Sequence, residues 1–238
     1  LFVAFVPQGL PLTVTALLRE AALKLAKNNV LVKDLHSVET LGSITMLATD
    51  KTGTLTQNKM TCVGCWMNGS IFAIADSQDV SRHDKILQKE TPNGALLTQA
   101  CCLCSKAVFD TSADALAKTQ KERPIFGDAT ESGLLRFASN RIVDISLERE
   151  TFPKVYEIPF CSATKWHLTI HKTVTGFRIY LKGAPERVIG MCSEILTHST
   201  TSTSITSDTT THFNNAYETF ASQGQRVLAF AYRDLPAE

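Results

Sequence analysis

Asp50-Lys51-Thr52-Gly53-Thr54-Leu55-Thr56 carries more chemical information than any other part of this sequence. The residues before it, Ser43-Ile44-Thr45-Met46-Leu47-Ala48-Thr49, form a short apolar run, with Gly42 ahead of it and Gly53 beyond. That pattern predicts a buried strand, with Asp50 at its carboxyl end, the end where open α/β sheets bind ligands. A carboxylate there can attack a γ-phosphate and form an acyl phosphate. The oxygens involved carry dense negative charge, so the chemistry needs a cation and a metal nearby. Lys51 supplies the positive charge, and Gly53 allows the backbone to turn tightly against a phosphate. Thr52 and Thr54 add hydroxyl and backbone groups, and Asp50 with Thr52 offers the hard oxygen ligands that Mg²⁺ prefers. A bare Asp-Lys-Thr would read as a capping aspartate in an ordinary turn; phosphoryl transfer is the alternative these residue types allow.

Working outward, the 238 residues balance 24 Lys and Arg against 23 Asp and Glu, a net charge of +1. Such a balance offers no field for nucleic acid, and there is no basic run, so no nucleic-acid partner is expected. The first residue is Leu1, without a basic leader or small-residue cleavage site; this argues against a secretory signal and for a chain that begins within a longer protein. Seven cysteines, an odd number without a small-scaffold spacing, read as reduced thiols. Cys62/Cys65 and Cys101/Cys104 have the CxxC spacing of zinc ribbons. One pair falls in a strand-like stretch and the other in a helical one, with a long gap between them, so a zinc site is not expected.

Residues 1–18 are uncharged and mostly apolar but are interrupted by Pro7, Gly9 and Pro11. A break of that kind survives in lipid only where protein or a polar cavity takes up the freed backbone groups. A helical pattern runs over 12–27, gains charge at Arg19, Glu20, Lys24 and Lys27, and stops at Asn28-Asn29. After Thr61 the character changes. Strands are predicted over 62–67, 70–75, 154–159, 166–171 and 177–181, and helices over 96–108, 132–139, 185–192 and 213–222. Residues 76–93 and 110–123 read as loops, and the Ser/Thr-rich 198–212 as an exposed loop. Strands mixed with helices suggest an α+β domain inserted after a first βα unit.

Further strings follow in a definite order. Val6-Pro7-Gln8-Gly9-Leu10 precedes Leu31-Val32-Lys33 and Val38-Glu39-Thr40-Leu41-Gly42. After the Asp50 string come Gln57-Asn58-Lys59-Met60-Thr61, Gly127-Asp128-Ala129-Thr130-Glu131-Ser132, Ile158-Pro159-Phe160, Lys182-Gly183-Ala184-Pro185-Glu186-Arg187 and Gln225-Arg226-Val227-Leu228. With Asp50–Thr56, these resemble the P-type cation-transporting ATPases over essentially the whole chain, nearest the sodium/potassium and proton/potassium pump group. The resemblance implies an α/β phosphorylation domain of haloacid-dehalogenase type, incomplete here, and an α+β nucleotide-binding domain with an antiparallel sheet. It divides the chain into part of a broken transmembrane helix with its cytosolic extension (1–27), the first segment of the phosphorylation domain (28–61) and the nucleotide-binding domain (62–238).

The same resemblance implies site residues. Phe160 would stack adenine, a contact worth about 1–3 kcal/mol per base, although a core phenylalanine is the reading without the motif. Lys165, Lys182 and Arg226 would serve the pocket and its phosphates, and Gly183 would let backbone approach the ligand. Asp128 and Glu131 have the spacing of a capping box, and in the family the matching glutamate also faces adenine. Gln8, between Pro7 and Gly9, would line the path of the transported cation with exposed carbonyls. A glutamine where pumps usually carry glutamate favours a monovalent ion over a divalent one, because attraction scales with ion charge. Two positions depart from the pump group: His167 replaces a usual Gln, and Ala231 a frequent Cys. His167 and His171 share a strand face, predicted to be exposed rather than a metal pair.

The implied cofactors are ATP and Mg²⁺. The implied partners are a monovalent cation (sodium, potassium or proton), membrane lipid and an accessory subunit, and the implied location is the plasma membrane with residues after about 20 in the cytosol. Family segments that hydrolyse the phosphoaspartate (TGE) and carry most Mg²⁺ carboxylates (GDGxND) are expected elsewhere in a longer protein. A soluble phosphatase of the same superfamily remains open, although Thr52 stands where such enzymes place a second aspartate. A non-catalytic, truncated nucleotide-binding protein also remains open.

Overall fold

The computed structural model describes residues 9–74, 92–120, 122–197 and 201–237. The chain separates into two units, Leu1–Gln57 and Asn58–Glu238, and each is described by itself.

In the first unit, helix α1 spans Gly9–Lys27. Pro11 sits in its first turn, where the missing N–H has no intrahelical partner to lose; Val6, Pro7 and Gln8 lie outside the described residues. The helix ends as the asparagines suggest. Asn29 takes φ 62°, Asn29 N donates to Ala26 O, and Val30 N to Leu25 O, a left-handed cap that satisfies the last carbonyls. Among the described residues, no helix is long and apolar enough to cross a membrane. Helix α2 covers His36–Ser43.

The strand expected over 43–49 is not formed. Ser43 closes α2, residues 44–49 take no part in a strand and are exposed, and Lys51–Leu55 makes one π-helical turn. The reason is physical: a short apolar strand holds only beside another strand, and the described residues of this unit contain none.

The second unit opens with a hairpin, β1 (Gly64–Met67) and β2 (Ser70–Ala73). Asn68 (φ 55°) and Gly69 (φ 75°) form its two-residue turn, the pair that mirror-image hairpin turns favour. Then come α3 (Pro92–Leu103), β3 (Val108–Phe109), α4 (Ala113–Leu116), β4 (Ile125–Phe126), α5 (Ala129–Ser139) and α6 (Ile145–Thr151). Next are β5 (Lys154–Ile158), β6 (Trp166–Thr173), β7 (Gly176–Gly183), α7 (Pro185–Ile189), β8 (Glu194–Leu196), β9 (Ser202–Ser204), α8 (Ser207–Ser222) and β10 (Ala229–Pro236). The main sheet is antiparallel throughout, in the order β10-β7-β6-β5.

The core lies between this sheet and helices α3 and α5. It gathers Cys101, Cys102, Leu103 and Cys104 with Leu134, Leu135, Phe137, Ala138, Ile145 and Tyr180. Burial pushes the Cys102 and Cys104 thiols up to about 11, so they pack as apolar groups. No group of three or more metal-ligating side chains occurs among the described residues.

Two expectations are corrected here. The described part of the Ser/Thr-rich stretch, 201–212, is not a plain loop: β9 pairs with β8, and α8 begins at Ser207 with Thr206 as its cap, whose hydroxyl accepts from Thr209 N. Threonines that suggest a loop instead cap the helix and bond back to its carbonyls (Thr210 to Thr206, Thr211 to Ser207). Likewise, residues 110–123 contain the short α4. Of the stretch 76–93, residues up to 91 lie outside the described ones, and Pro92 already starts α3. Strand β10 and helices α2 and α6 have no counterpart in the sequence reading.

Candidate functional site

Helix α5 begins because Asp128 caps it, accepting from Thr130 N (2.8 Å) and Glu131 N (3.3 Å). Glu131 does not return the bond to Asp128, as a full capping box would require. Its Oε2 accepts from Lys106 N at 2.9 Å, and its Oε1 from Lys182 Nζ at 2.8 Å. Lys182 also donates to Cys104 O at 2.6 Å, at the end of α3. The lysine is 6 % exposed. A buried ammonium is tolerable only when paired and hydrogen-bonded, and here both conditions are met.

Antiparallel pairing sets His167 of β6 directly beside Lys182 of β7. The period-2 alternation of β6 sends His167, Thr169 and His171 inward, and leaves Leu168 and Ile170 half-buried on the other face. The expected exposed histidine face is therefore wrong: the two rings are buried at 1 % and 2 % exposure. Polar partners make this possible. His171 Nδ1 lies 2.8 Å from Phe152 O, and His167 Nε2 lies 2.9 Å from Glu157 Oε1. Glu157 also binds Lys154 (2.6 Å) and Lys106 (3.1 Å).

The carboxylates respond to these neighbours. Burial alone would raise the Glu131 carboxyl, but the Lys182 ammonium and the Lys106 amide bonded to it hold it well below the usual carboxylate range. For Glu157, burial is again outweighed, by hydrogen bonds from Lys154 and Lys106, the charge of Lys154 and a bond from His167, bringing it to about 2. Both are ionised near neutrality, so each carboxylate faces ammonium groups: Glu131 faces Lys182, and Glu157 faces Lys154 and Lys106.

The floor of the site is built by a close approach of backbone. A Cβ on Gly183 would stand 2.6 Å from Lys165 O and 2.7 Å from Trp166 Cβ, so no larger residue fits without displacing the chain. Lys165 adopts φ 62°, bonds through N to Cys161 O (2.7 Å), and accepts at O from Ala184 N (3.0 Å). Its Nζ sits 3.9 Å from Glu186 Oε1. Phe160, two residues beyond β5 and just before this turn, is 63 % exposed. Arg226 joins from the other side, Nη1 donating to Thr130 Oγ1 at 3.0 Å.

Asp128, Glu131, Lys182 and, through Thr130, Arg226 thus fall on one connected set of bonds within the second unit, with Lys165 and Gly183 in the backbone beside it and Phe160 just before that turn in sequence. Sequence reading missed Glu157, Lys106 and Cys104 O. Glu157 carried a signal, as the charged residue in an otherwise apolar run before Pro159; the others did not. Asp50, Lys51, Thr52 and Thr54 belong to the first unit, in and before the π-helical turn. There Thr56 N donates to Lys51 O (3.2 Å), and Gly53 takes φ 80°. Gln8 lies outside the described residues.

The sequence of this chain is similar to known proteins. The family profile described as "P-type ATPase, cytoplasmic domain N" matches residues 95–238. Sodium/potassium-transporting ATPase subunit alpha-4 of Rattus norvegicus is 37% identical over 240 residues, and potassium-transporting ATPase alpha chain 2 of Homo sapiens 37% over 242. The sodium/potassium-transporting ATPase subunit alpha of Hydra vulgaris is 37% identical over 246. Each alignment takes in 100% of this chain, which spans 23% of the relative's length. The chain belongs to the P-type ATPases.

Proposed function

We propose that this chain is the nucleotide-binding part, with the phosphorylation string, of a membrane pump that couples ATP hydrolysis to transport of a monovalent cation. The observation that carries this reading is the buried Lys182–Glu131 pair beside Gly183, with Phe160 exposed at the rim. That arrangement suits a nucleotide: an aromatic face for the base, cations for the phosphates and open backbone between them. In this reading Phe160 stacks adenine, Glu131 and Asp128 frame the base side, and Lys165, Lys182 and Arg226 face the phosphates. Residues 28–61 form the first segment of a haloacid-dehalogenase-like phosphorylation domain, residues 62–238 the nucleotide-binding domain, and residues 1–27 part of a broken transmembrane helix with its cytosolic extension. The exposed Leu10, Leu12 and Leu17 of α1 suit an apolar surround. Gln8 contributes an oxygen to the cation path.

Asp50 is the nucleophile: its carboxylate oxygen attacks the γ-phosphorus, the bond to the bridging oxygen breaks, and ADP leaves. Lys51 and Thr54 offset the developing charge. The carboxylate of Asp50 and the backbone oxygen of Thr52 are hard donors of the kind that would hold Mg²⁺. Mg²⁺ bound there would neutralise phosphate charge, with most of its shell supplied by phosphate and water. The relatives carry the names of sodium/potassium- and potassium-transporting ATPase alpha subunits or chains, which supports a monovalent ion and an accessory subunit; a plasma-membrane setting goes with this reading.

Two experiments test this reading. ATP added to the 238-residue chain should shift amide resonances around Phe160 and Lys182; no shift in a folded sample removes the pocket. In the full-length protein, γ-labelled ATP should give an acid-stable, hydroxylamine-sensitive label that Asp50→Asn abolishes, and a label persisting in that variant overturns the assignment.

A further inference from the structure

His167 stands between two ionised carboxylates, and its ring satisfies only one of them. The side chain is 2 % exposed, Nε2 is 2.9 Å from Glu157 Oε1, and Nδ1 is 3.4 Å from Glu131 Oε1. Nδ1 is buried without a hydrogen-bond partner. A neutral imidazole has one N–H. With that hydrogen donated from Nε2 to Glu157, the Nδ1 lone pair is aimed at the oxygen that Lys182 also holds, at 2.8 Å. Lone pair and carboxylate repel each other, and a proton on Nδ1 turns the repulsion into a charge-assisted attraction.

We propose that His167 is a positioning residue that couples proton uptake to nucleotide binding: a proton on Nδ1 draws Glu131 toward the imidazole and frees the Lys182 ammonium for an anionic ligand. This rests on reading the pocket as a nucleotide site. The charged and titratable groups facing the ring come from every element packed on it: Glu157 and Lys154 from β5, Glu131 from α5, Lys182 from β7, and Lys106 after α3. The Cys104 thiol donates to His167 O at the end of α3. Three lysines already face two carboxylates, and the imidazolium adds a further positive charge where a polyanion would bind. By linkage the effect is reciprocal: the proton tightens the nucleotide, and the nucleotide tightens the proton.

The test uses the 238-residue chain and its His167→Gln variant, whose amide cannot take up a proton in this range. ATP affinity is measured by calorimetry from pH 8.5 to 5.5, and the native-to-variant ratio cancels the titration of ATP itself. That ratio should rise about threefold or more as pH falls. Independently of any variant, the ring resonances of His167 should titrate at higher pH when ATP saturates the native chain. A constant ratio together with an unmoved ring titration overturns the proposal and leaves the nucleotide site standing. Absence of ATP binding at every pH overturns both.

Discussion

Leu47 and Leu135 are the same residue in opposite circumstances. Leu47 belongs to the apolar run before Asp50 and is 76 % exposed, while Leu135 is fully buried under the sheet. The contrast extends to their units: among described residues up to 57 none is buried, whereas the second unit has a contiguous core. The Asp50–Thr56 string therefore sits where the described chain has least tertiary support. Chemical specificity in a sequence and local stability in a fold are separate properties.

The comparison can be broken by measurement. Leu135→Ala should lower unfolding stability by about 3 kcal/mol, within the span usual for buried leucines, read as a lower denaturant midpoint. A change under about 1 kcal/mol would mean that the core is not where the structure puts it. Lys182→Met should cost a comparable 3 kcal/mol or so, because removing one partner of a buried ion pair strands the other; ATP affinity should fall with it. Phe160→Ala should separate stability from binding. Its exposed ring predicts an unchanged midpoint, while ATP affinity drops by about 1–3 kcal/mol of lost stacking. A variant that loses both would make Phe160 a core residue.

Acid provides a finer test. Glu157 is held at about 2 in the folded chain, below the ordinary glutamate value near 4.3. Its contribution is present above about pH 4.3 and is lost as pH falls through about 2, since the unfolded chain takes up the proton first. Glu157→Gln should flatten the fall in stability between those limits; an unchanged acid profile would remove Glu157 from the cluster's electrostatics. The smallest effect is expected at Leu47→Ala, under about 0.5 kcal/mol for an exposed site away from any core. A larger loss would show that the first unit packs as the apolar run alone suggests.

How much was legible follows the same division. Strands β6 and β7 are legible over 166–171 and 177–181, short of their observed ends at Thr173 and Gly183, and the Asp128 cap from its spacing to Glu131. The run 43–49 misled because a buried strand's signature records the neighbours it expects, and no strand partner occurs among the described residues of that unit. The 198–212 stretch misled because hydroxyl side chains favour loops and helix caps alike. His167 and His171 misled because alternation gives two faces but not which one is inward. Pairing partners decide that, and Glu157, Phe152 O and Cys104 O come from distant segments. The connection of Arg226 to Thr130, 96 residues away, has no local signal.

Strand β6 holds a last consequence. Its inward face is His167, Thr169 and His171, and its outward face is Leu168 and Ile170, so hydropathy alone would seat the strand the other way round. A slip of one residue reverses the faces, and here the slipped form would look greasier inside than the native one. The bonds from the two rings to Glu157 and Phe152 O act as registration pins, penalising a misalignment that oil-and-water sorting would reward. A redesign that swapped those polar residues for aliphatic ones would remove the signal that tells β6 where to stop.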